Sequence, residues 1–349
     1  MRGMILAAGF GTRLRPLTLA RPKPLLPLAN RPQLHYQLDL LRRAGVRNVV
    51  INVHHLSHAI PEFFKNGSAL GMALSYSVER EILGTGGGIK ACAKFLTTDP
   101  GPFVVINGDT LIDLDLEEVI QVHRRAGAMA TMVLREDPRA ETFGAIGVDE
   151  SDRIVDFVGR AHAPGRVVRR GLFTGVHIMS PEVLERIPEG PCGINETAYP
   201  VMVREGARVQ ACFQQGYWSD VGTPRRYLEA NLAILSGAFH PRGQDLFKEA
   251  GWAVDRSGRT HGSEDRVHLG PLVQIVPPVL LGAGATIEAG VRLGPEVVIG
   301  ERTAVGPGVR LAHTVVWADC RIPQARRLEK AIVWHDGART RTLTLSDTA

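Results

Sequence analysis

Cysteine is scarce: only Cys92, Cys192, Cys212 and Cys320 occur in 349 residues, with no C-x-x-C pair. That scatter argues against a disulfide framework or a zinc site and reads as reduced, mostly buried thiols of a cytoplasmic protein. Long apolar runs are missing as well. None approaches the ~20 residues of a membrane span, and the run after Arg2 is too short for the core of a signal peptide, so no membrane partner is expected. The formal charge of +5 comes without a basic run, zinc-finger spacing or RNA-binding aromatic motif, so no nucleic-acid partner is expected either. No Ser/His/Asp or Cys/His constellation is evident. The hydrophobic content of 44% and charged content of 22% are those of a globular chain, and its length suggests two domains.

What is present is concentrated at the start. Met4-Ile5-Leu6-Ala7-Ala8 reads as a buried parallel strand. It opens into a loop with Gly9 and Gly11, where backbone N–H groups can approach an anion because no Cβ intervenes. Arg13, Arg15 and Lys23 put three cations within that loop's reach. Together these features suggest polyphosphate binding, the alternative being an ordinary βα turn with solvated charges. Neither common phosphate loop fits. Leu14 stands where the dinucleotide fingerprint needs its third glycine, and no Gly-Lys-Ser/Thr follows Gly11.

Further on, Asn30 is expected to cap a helix with Pro32 in its first turn and Gly45 at its end. A strand over 49–53, a helix over 60–65 and a strand over 73–78 follow. This order predicts an α/β fold with a Rossmann-like mixed, mostly parallel sheet and helices on both faces. Ligands in such sheets sit beyond the C-terminal strand ends, where the opening loop falls. Gly84-Thr85-Gly86-Gly87-Gly88 is too glycine-rich for a stable helix interior and predicts a loop whose backbone is needed close to something. Phe103-Val104-Val105-Ile106 is an apolar strand leading to Asn107-Gly108-Asp109, and a carboxylate there is a natural Mg²⁺ ligand or a helix cap. Asp113 or Asp115 could cap the helix over 117–125. Short strands follow between Ala130 and Met179. Trp218-Ser219-Asp220-Val221-Gly222-Thr223-Pro224 leads into a helix capped by Thr223.

Residues 237–266 show no periodicity and read as a linker between a catalytic domain over 1–236 and a second domain over 267–349. In that second domain apolar residues recur every six: Leu269, Ile275, Leu281, Ile287, Leu293, Ile299, Val305 and Leu311. This is the hexapeptide repeat of a left-handed parallel β-helix. The rhythm weakens after Leu311, predicting irregular last coils at 315–317 and 332–334. His313 is the candidate if the repeats carry acyl transfer. The simpler expectation is a regulatory surface or a homo-oligomer formed through the β-helix.

The opening stretch resembles, nearly residue for residue, the signature L-A-A-G-x-G-T-R-L-x-P-L-T, then K-P, of the sugar-nucleotide pyrophosphorylases, nucleotidyltransferases acting on sugar 1-phosphates. The resemblance implies that Leu6, Ala8, Gly9, Gly11 and Thr12 bind the nucleotide. Glu79, Gly84 and Thr85 join them, from the loop where the family commonly has L-G-T-A-G facing the base. It implies catalytic roles for Arg13 and Lys23, and makes Asp109 and Asp220 the Mg²⁺ ligands, through the family's (N/G)-D and W-x-D-(I/V)-G-T-P motifs. In the sugar-binding half the chain departs from its relatives. Their F-x-E-K-P reads Phe157-Val158-Gly159-Arg160 here, and their N-A-G or N-T-G reads Phe173-Thr174-Gly175. Gly144, Arg160, Thr174, Gly175 and Glu196 are the candidate sugar contacts. Glu196 is either the substitute acid or simply the first-turn Glu of a helix.

The implied reaction transfers a nucleotidyl group from a nucleoside triphosphate to a sugar 1-phosphate, whose mostly dianionic oxygen needs no general base. The architecture looks most like mannose 1-phosphate guanylyltransferases, with GTP and mannose 1-phosphate as substrates. The glycine-rich loop and Phe-Thr-Gly are also similar to heptose 1-phosphate guanylyltransferases and N-acetylmuramate 1-phosphate uridylyltransferases. A uridylyl- or thymidylyltransferase on another sugar 1-phosphate, or a catalytically silent sugar-nucleotide-binding regulatory subunit, are the alternatives.

Overall fold

The computed structural model describes residues 1–138, 140, 144–240 and 246–346. The chain forms two compact units: Met1–Phe10 with Leu34–Asp220, and Gly11–Gln33 with Val221–Ala349.

The first unit is built on a ten-stranded sheet. Its strands are β1 (Arg2–Leu6), β2 (Asn48–Val53), β3 (Ala73–Val78), β4 (Phe103–Asn107), β5 (Ala130–Arg135), β6 (Ile146–Val148), β7 (Ile154–Phe157), β8 (Ala161–His162), β9 (Arg169–Met179) and β10 (Val209–Phe213). They run in the order β8-β7-β6-β9-β4-β1-β2-β3, with β5 between β9 and β10. Strands β3, β2, β1 and β4 are mutually parallel, whereas β9 is antiparallel to β4, β5 and β6. Met4, Ile5, Val49, Ile51, Val105 and Ile106 are buried on either side of the parallel half, as a sheet covered on both faces requires.

Its helices include α1 (Gln33–Arg43), α2 (Ala59–Phe64), α3 (Gly84–Ala91), α4 (Leu116–Ala126) and α5 (Ala198–Arg204). Asp115, not Asp113, caps α4, its carboxylate accepting from Glu118 N–H at 3.1 Å. In the core Tyr199 stacks on Phe157 and on His177, with ring centroids 5.4 and 5.6 Å away, and its hydroxyl lies 2.6 Å from His177 Nδ1.

The glycine-rich stretch is not a loop. Gly84 to Gly88 form the first turns of α3, and contact rather than helix propensity accounts for this. Gly86 and Gly87 N–H both donate to Cys192 O, at 2.9 and 3.2 Å. A Cβ on Gly86 would lie 2.8 Å from Cys192 Sγ. Glycine is needed for close packing, not for flexibility.

The second unit opens with Gly11–Gln33. Asn30 caps no helix: Ala29 and Asn30, at φ 47° and 65°, form the turn between short strands Pro27–Leu28 and Arg31–Pro32. Both central residues at positive φ is the geometry that a tight hairpin requires. Asn30 Nδ2 donates to Ile299 O at 2.8 Å, and Ala29 N–H to Asn231 Oδ1 at 2.8 Å. Asn231 belongs to α6 (Pro224–Leu235), which Thr223 caps by accepting from Arg226 N–H at 3.3 Å.

The remainder is a parallel β-helix with three sheets. One runs from Val279–Leu281 through Val297–Ile299 and Thr314–Val316 to Ala331–His335. The second holds His268–Leu269, Thr286–Ile287, Ala304–Val305 and Arg321–Ile322. The third holds Gln274–Ile275, Arg292–Leu293, Arg310–Ala312 and Arg327–Glu329. The last coils keep the strand ladder but depart from the six-residue spacing. Ile287 pairs with Val305, 18 residues on, whereas Val305 pairs with Ile322, only 17 on. Each late coil drops one corner residue, which breaks the six-residue rhythm while keeping the ladder. The stretch read as a linker contains Trp252–Val254, paired antiparallel to both Thr260–Gly262 and Val279–Leu281. Three-residue strands carry too little pattern to be seen in sequence. Residues 241–245 of that stretch and 347–349 lie outside the described residues.

Candidate active site

Within the first unit a cavity of about 240 Å³ opens beyond the end of β4 and against the middle of β9, and both Asp109 and Asp220 line it. A two-stranded ribbon brings these distant residues together. Trp218 pairs with Ile112 and Ser219 with Leu111, and Asp113 N–H donates to Tyr217 O at 2.9 Å. Trp218 Nε1 donates to Thr174 O at 2.8 Å, so the W-x-D tryptophan anchors its segment to β9.

The donor set fits Mg²⁺. No group of three or more His, Cys, Asp or Glu side chains gathers among the described residues. Two carboxylate oxygen donors, with other positions left for phosphate and water, is how Mg²⁺ is commonly held, whereas Zn²⁺ sites require more nitrogen or sulfur ligands.

Of the sugar candidates, Gly144, Thr174 and Gly175 line the same cavity. Thr174 is buried and its polar atoms are engaged. Its hydroxyl donates to Val133 O, and its carbonyl accepts from Thr110 Oγ1 and Trp218 Nε1. A Cβ on Gly175 would lie 2.5 Å from Thr110 Oγ1, so only glycine fits there. Arg160 and Glu196 do not line the cavity. They pair with one another at 3.1 Å, and Glu196 precedes α5 instead of starting it. Two cavity residues had no motif to mark them: Asn107, at the end of β4, and Asn195, whose buried Oδ1 has no hydrogen-bond partner among the described residues.

Of the nucleotide candidates, Leu6 ends β1 and Ala8 and Gly9 follow it, with Gly9 exposed and nothing within 4 Å of where its Cβ would stand. Gly84 and Thr85 open α3, and the Thr85 hydroxyl accepts from Ile194 N–H at 3.0 Å. Glu79 is buried just beyond β3. The other candidates belong to the second unit. There Gly11, at φ 62°, precedes a turn over Thr12–Leu14, and Thr18 Oγ1 donates to Gly11 O at 2.9 Å. Arg13 is exposed in that turn, and Lys23 begins the next one, Lys23–Leu25.

The profile of the family described as "Nucleotidyl transferase" matches residues 2–237, and that of the "GMPPB C-terminal domain" matches residues 275–341. A mannose-1-phosphate guanyltransferase beta-B of Xenopus laevis is 35% identical over 248 residues, covering 70% of this chain and 68% of that protein. A mannose-1-phosphate guanylyltransferase of Mycobacterium tuberculosis is 32% identical over 298 residues, covering 83% and 77%. A solved Bacillus anthracis structure, described as a glucose-1-phosphate thymidylyltransferase in complex with a sucrose, has a TM-score of 0.57 at 21% identity. It covers 66% of this chain and 94% of that one, and its likeness is one of fold. With Asp109 and Asp220 sharing a cavity beyond the end of β4 and a matching profile across two thirds of its length, the chain belongs to the nucleotidyl transferase family.

Proposed function

We propose that this nucleotidyltransferase moves a guanylyl group from GTP to mannose 1-phosphate, yielding GDP-mannose and pyrophosphate. The observation that carries the reaction is the shared cavity of Asp109 and Asp220. The choice of mannose and guanine is supported by the guanylyltransferase relatives. In this reading the sugar phosphate oxygen attacks the α-phosphorus directly, and the protein's work is alignment and relief of charge repulsion. Asp109 and Asp220 hold Mg²⁺, which when bound neutralises phosphate charge. Arg13 and Lys23 stabilise the transferring phosphates and the pyrophosphate that leaves. Leu6, Ala8, Gly9, Gly11, Thr12, Gly84 and Thr85 bind the nucleotide, Gly144 and Gly175 lie on the sugar side of the cavity, and Arg160, outside it, leaves Glu196 to meet the sugar phosphate.

The reading also includes a cytoplasmic location, a catalytic domain over 1–236 and a homo-oligomer formed through the β-helix. In the third sheet Arg292, Arg310 and Arg327 stand in register on adjacent coils. Like charges so placed repel, and we assign the interface to another face. The altered Gly159-Arg160 and Phe173-Thr174-Gly175 motifs favour, as a second reading, a different sugar 1-phosphate with the same chemistry. Pyrophosphate release measured across a panel of nucleoside triphosphates and sugar 1-phosphates tests both. Tight sugar-nucleotide binding with no turnover for any pair would instead indicate a regulatory subunit.

A further inference from the structure

The two segments of the first unit read as nucleotide-facing, Leu6–Gly9 and the start of α3, are joined by one chain of buried hydrogen bonds. Ala7 N–H donates to Asn52 Oδ1 at 2.7 Å. Asn52 Nδ2 donates to Glu79 Oε1 at 2.7 Å, and Leu83 N–H donates to Glu79 Oε2 at 2.9 Å. Asn52 and Glu79 are only 3% and 6% exposed, so water does not compete for these bonds. The Glu79 carbonyl lies 2.9 Å from His54 Nδ1, and His54 packs edge-on against Phe10 of the opening loop at 5.2 Å. On the other side, a Cβ on Gly88 would lie 2.8 Å from Asn52 Nδ2 and 3.0 Å from Glu79 Oε1. The missing side chain of Gly88 is what lets α3 settle on the pair.

The order of groups in this chain is dictated by chemistry. Both ends, Ala7 and Leu83, present an N–H, so both inner residues must offer an acceptor outward. The middle link then needs one donor, which the Asn52 amide supplies and a second carboxylate could not. Each Glu79 oxygen accepts one hydrogen bond from within the protein, which fixes the direction in which the carboxylate points.

We propose that Asn52 and Glu79 are a positioning pair that sets the distance between the opening loop and the N-terminus of α3. They thereby govern how tightly and how selectively the nucleotide is held. The inference rests on the nucleotide-binding reading of those two segments.

The polarity of the chain provides the test. Glu79→Gln sets an amide donor against an N–H donor, and Asn52→Asp sets two carboxylates together. The double variant reverses the middle bond and satisfies every group again. The carboxylate introduced at position 52 accepts from Ala7 N–H and from the new amide at position 79, whose carbonyl oxygen accepts from Leu83 N–H. Each single variant is expected to raise the nucleotide KM, and the calorimetric Kd for GTP, by roughly tenfold or more, the cost of one mismatched buried hydrogen bond. The sugar 1-phosphate KM stays within about twofold, and discrimination among nucleoside triphosphates narrows. The double variant should return the GTP Kd to within about threefold of wild type. If the singles do not fold, Gly88→Ala, which presses on the pair from the other side, should weaken GTP in the same way. Unchanged GTP affinity in the singles or in Gly88→Ala, or a double variant as weak as both losses combined, would overturn the proposal. The calorimetric arm needs no turnover, so a failure of the guanylyl-transfer reading is separately visible in the wild-type assay.

Discussion

Arg160 Nη1 lies 3.1 Å from Glu196 Oε1, tying the turn after β7 to the segment before α5. These are the two residues proposed as substitutes for the family's missing Glu and Lys, and the structure pairs them with each other. Both are about half exposed, at 51% and 56%, so the pair is weak and easily opened by a phosphate. Arg160→Ala should raise the KM for sugar 1-phosphate about tenfold and leave that for nucleotide unchanged. Glu196→Gln should shift either KM less than about threefold. Steady-state kinetics with each substrate varied in turn provides the check, and equal damage from the two variants would contradict it.

Asp109 and Asp220 are expected to act as a unit. Asp109→Asn and Asp220→Asn should each lower kcat by roughly a hundredfold or more, with melting temperatures near wild type. Chelation with EDTA should stop wild-type turnover, and added Mg²⁺ should restore it. Near-normal rates in either variant would remove that residue from the metal site.

Space around Gly86 excludes any side chain there. Gly86→Ala places a Cβ 2.8 Å from Cys192 Sγ and 3.2 Å from Cys192 O and Ile194 N. Overpacking of this kind costs about 1–3 kcal/mol. Adding Cys192→Ala removes the nearest atom and should recover part of the loss. Urea unfolding of the single and double variants measures it, and an unaffected Gly86→Ala would show that α3 can shift freely.

Two buried histidines give the fold an acid limit. Burial pushes His177 down to about 3. It pushes His123 down to about 4, with Arg124 adding repulsion. Both stay neutral in the folded state, while the unfolded chain binds protons near the ordinary value of about 6.5. Their contribution to stability is therefore whole above that value and declines as pH falls toward 4. Each costs about 1.4 kcal/mol per pH unit over that range. Urea midpoints should drop between pH 7 and pH 5, and His177→Gln should flatten the slope by about one proton. An identical slope in the variant would show that His177 is protonated in the folded state.

Much of this molecule could be read from its residues. Parallel strands β1, β2 and β4 announce themselves as short apolar runs, and the six-residue rhythm from Leu269 to Leu311 has no other structural reading. The motifs around Asp109 and Asp220 marked both carboxylates, although only the Trp218–Ser219 ribbon explains how they meet. What failed depended on contacts distant in sequence. Gly84 to Gly88 look unfit for a helix until Cys192 accepts the N–H groups of Gly86 and Gly87. Asn30 looks like a cap until Ile299 accepts its amide. Asn52, Asn107 and Asn195 sit in no motif, and an amide's role is set by its partners. The final coils lost their rhythm through one dropped corner residue each, a change invisible to a strict period yet harmless to the strand ladder.

Direct detection of product is the sharpest test of guanylyl transfer. The purified chain is incubated with GTP, mannose 1-phosphate and Mg²⁺, and the mixture is followed by phosphorus NMR and mass spectrometry. GDP-mannose and pyrophosphate should appear in equal amounts, and both should be lost with Asp109→Asn. A folded wild-type protein that forms no nucleotide sugar from any nucleoside triphosphate and sugar 1-phosphate would contradict the account.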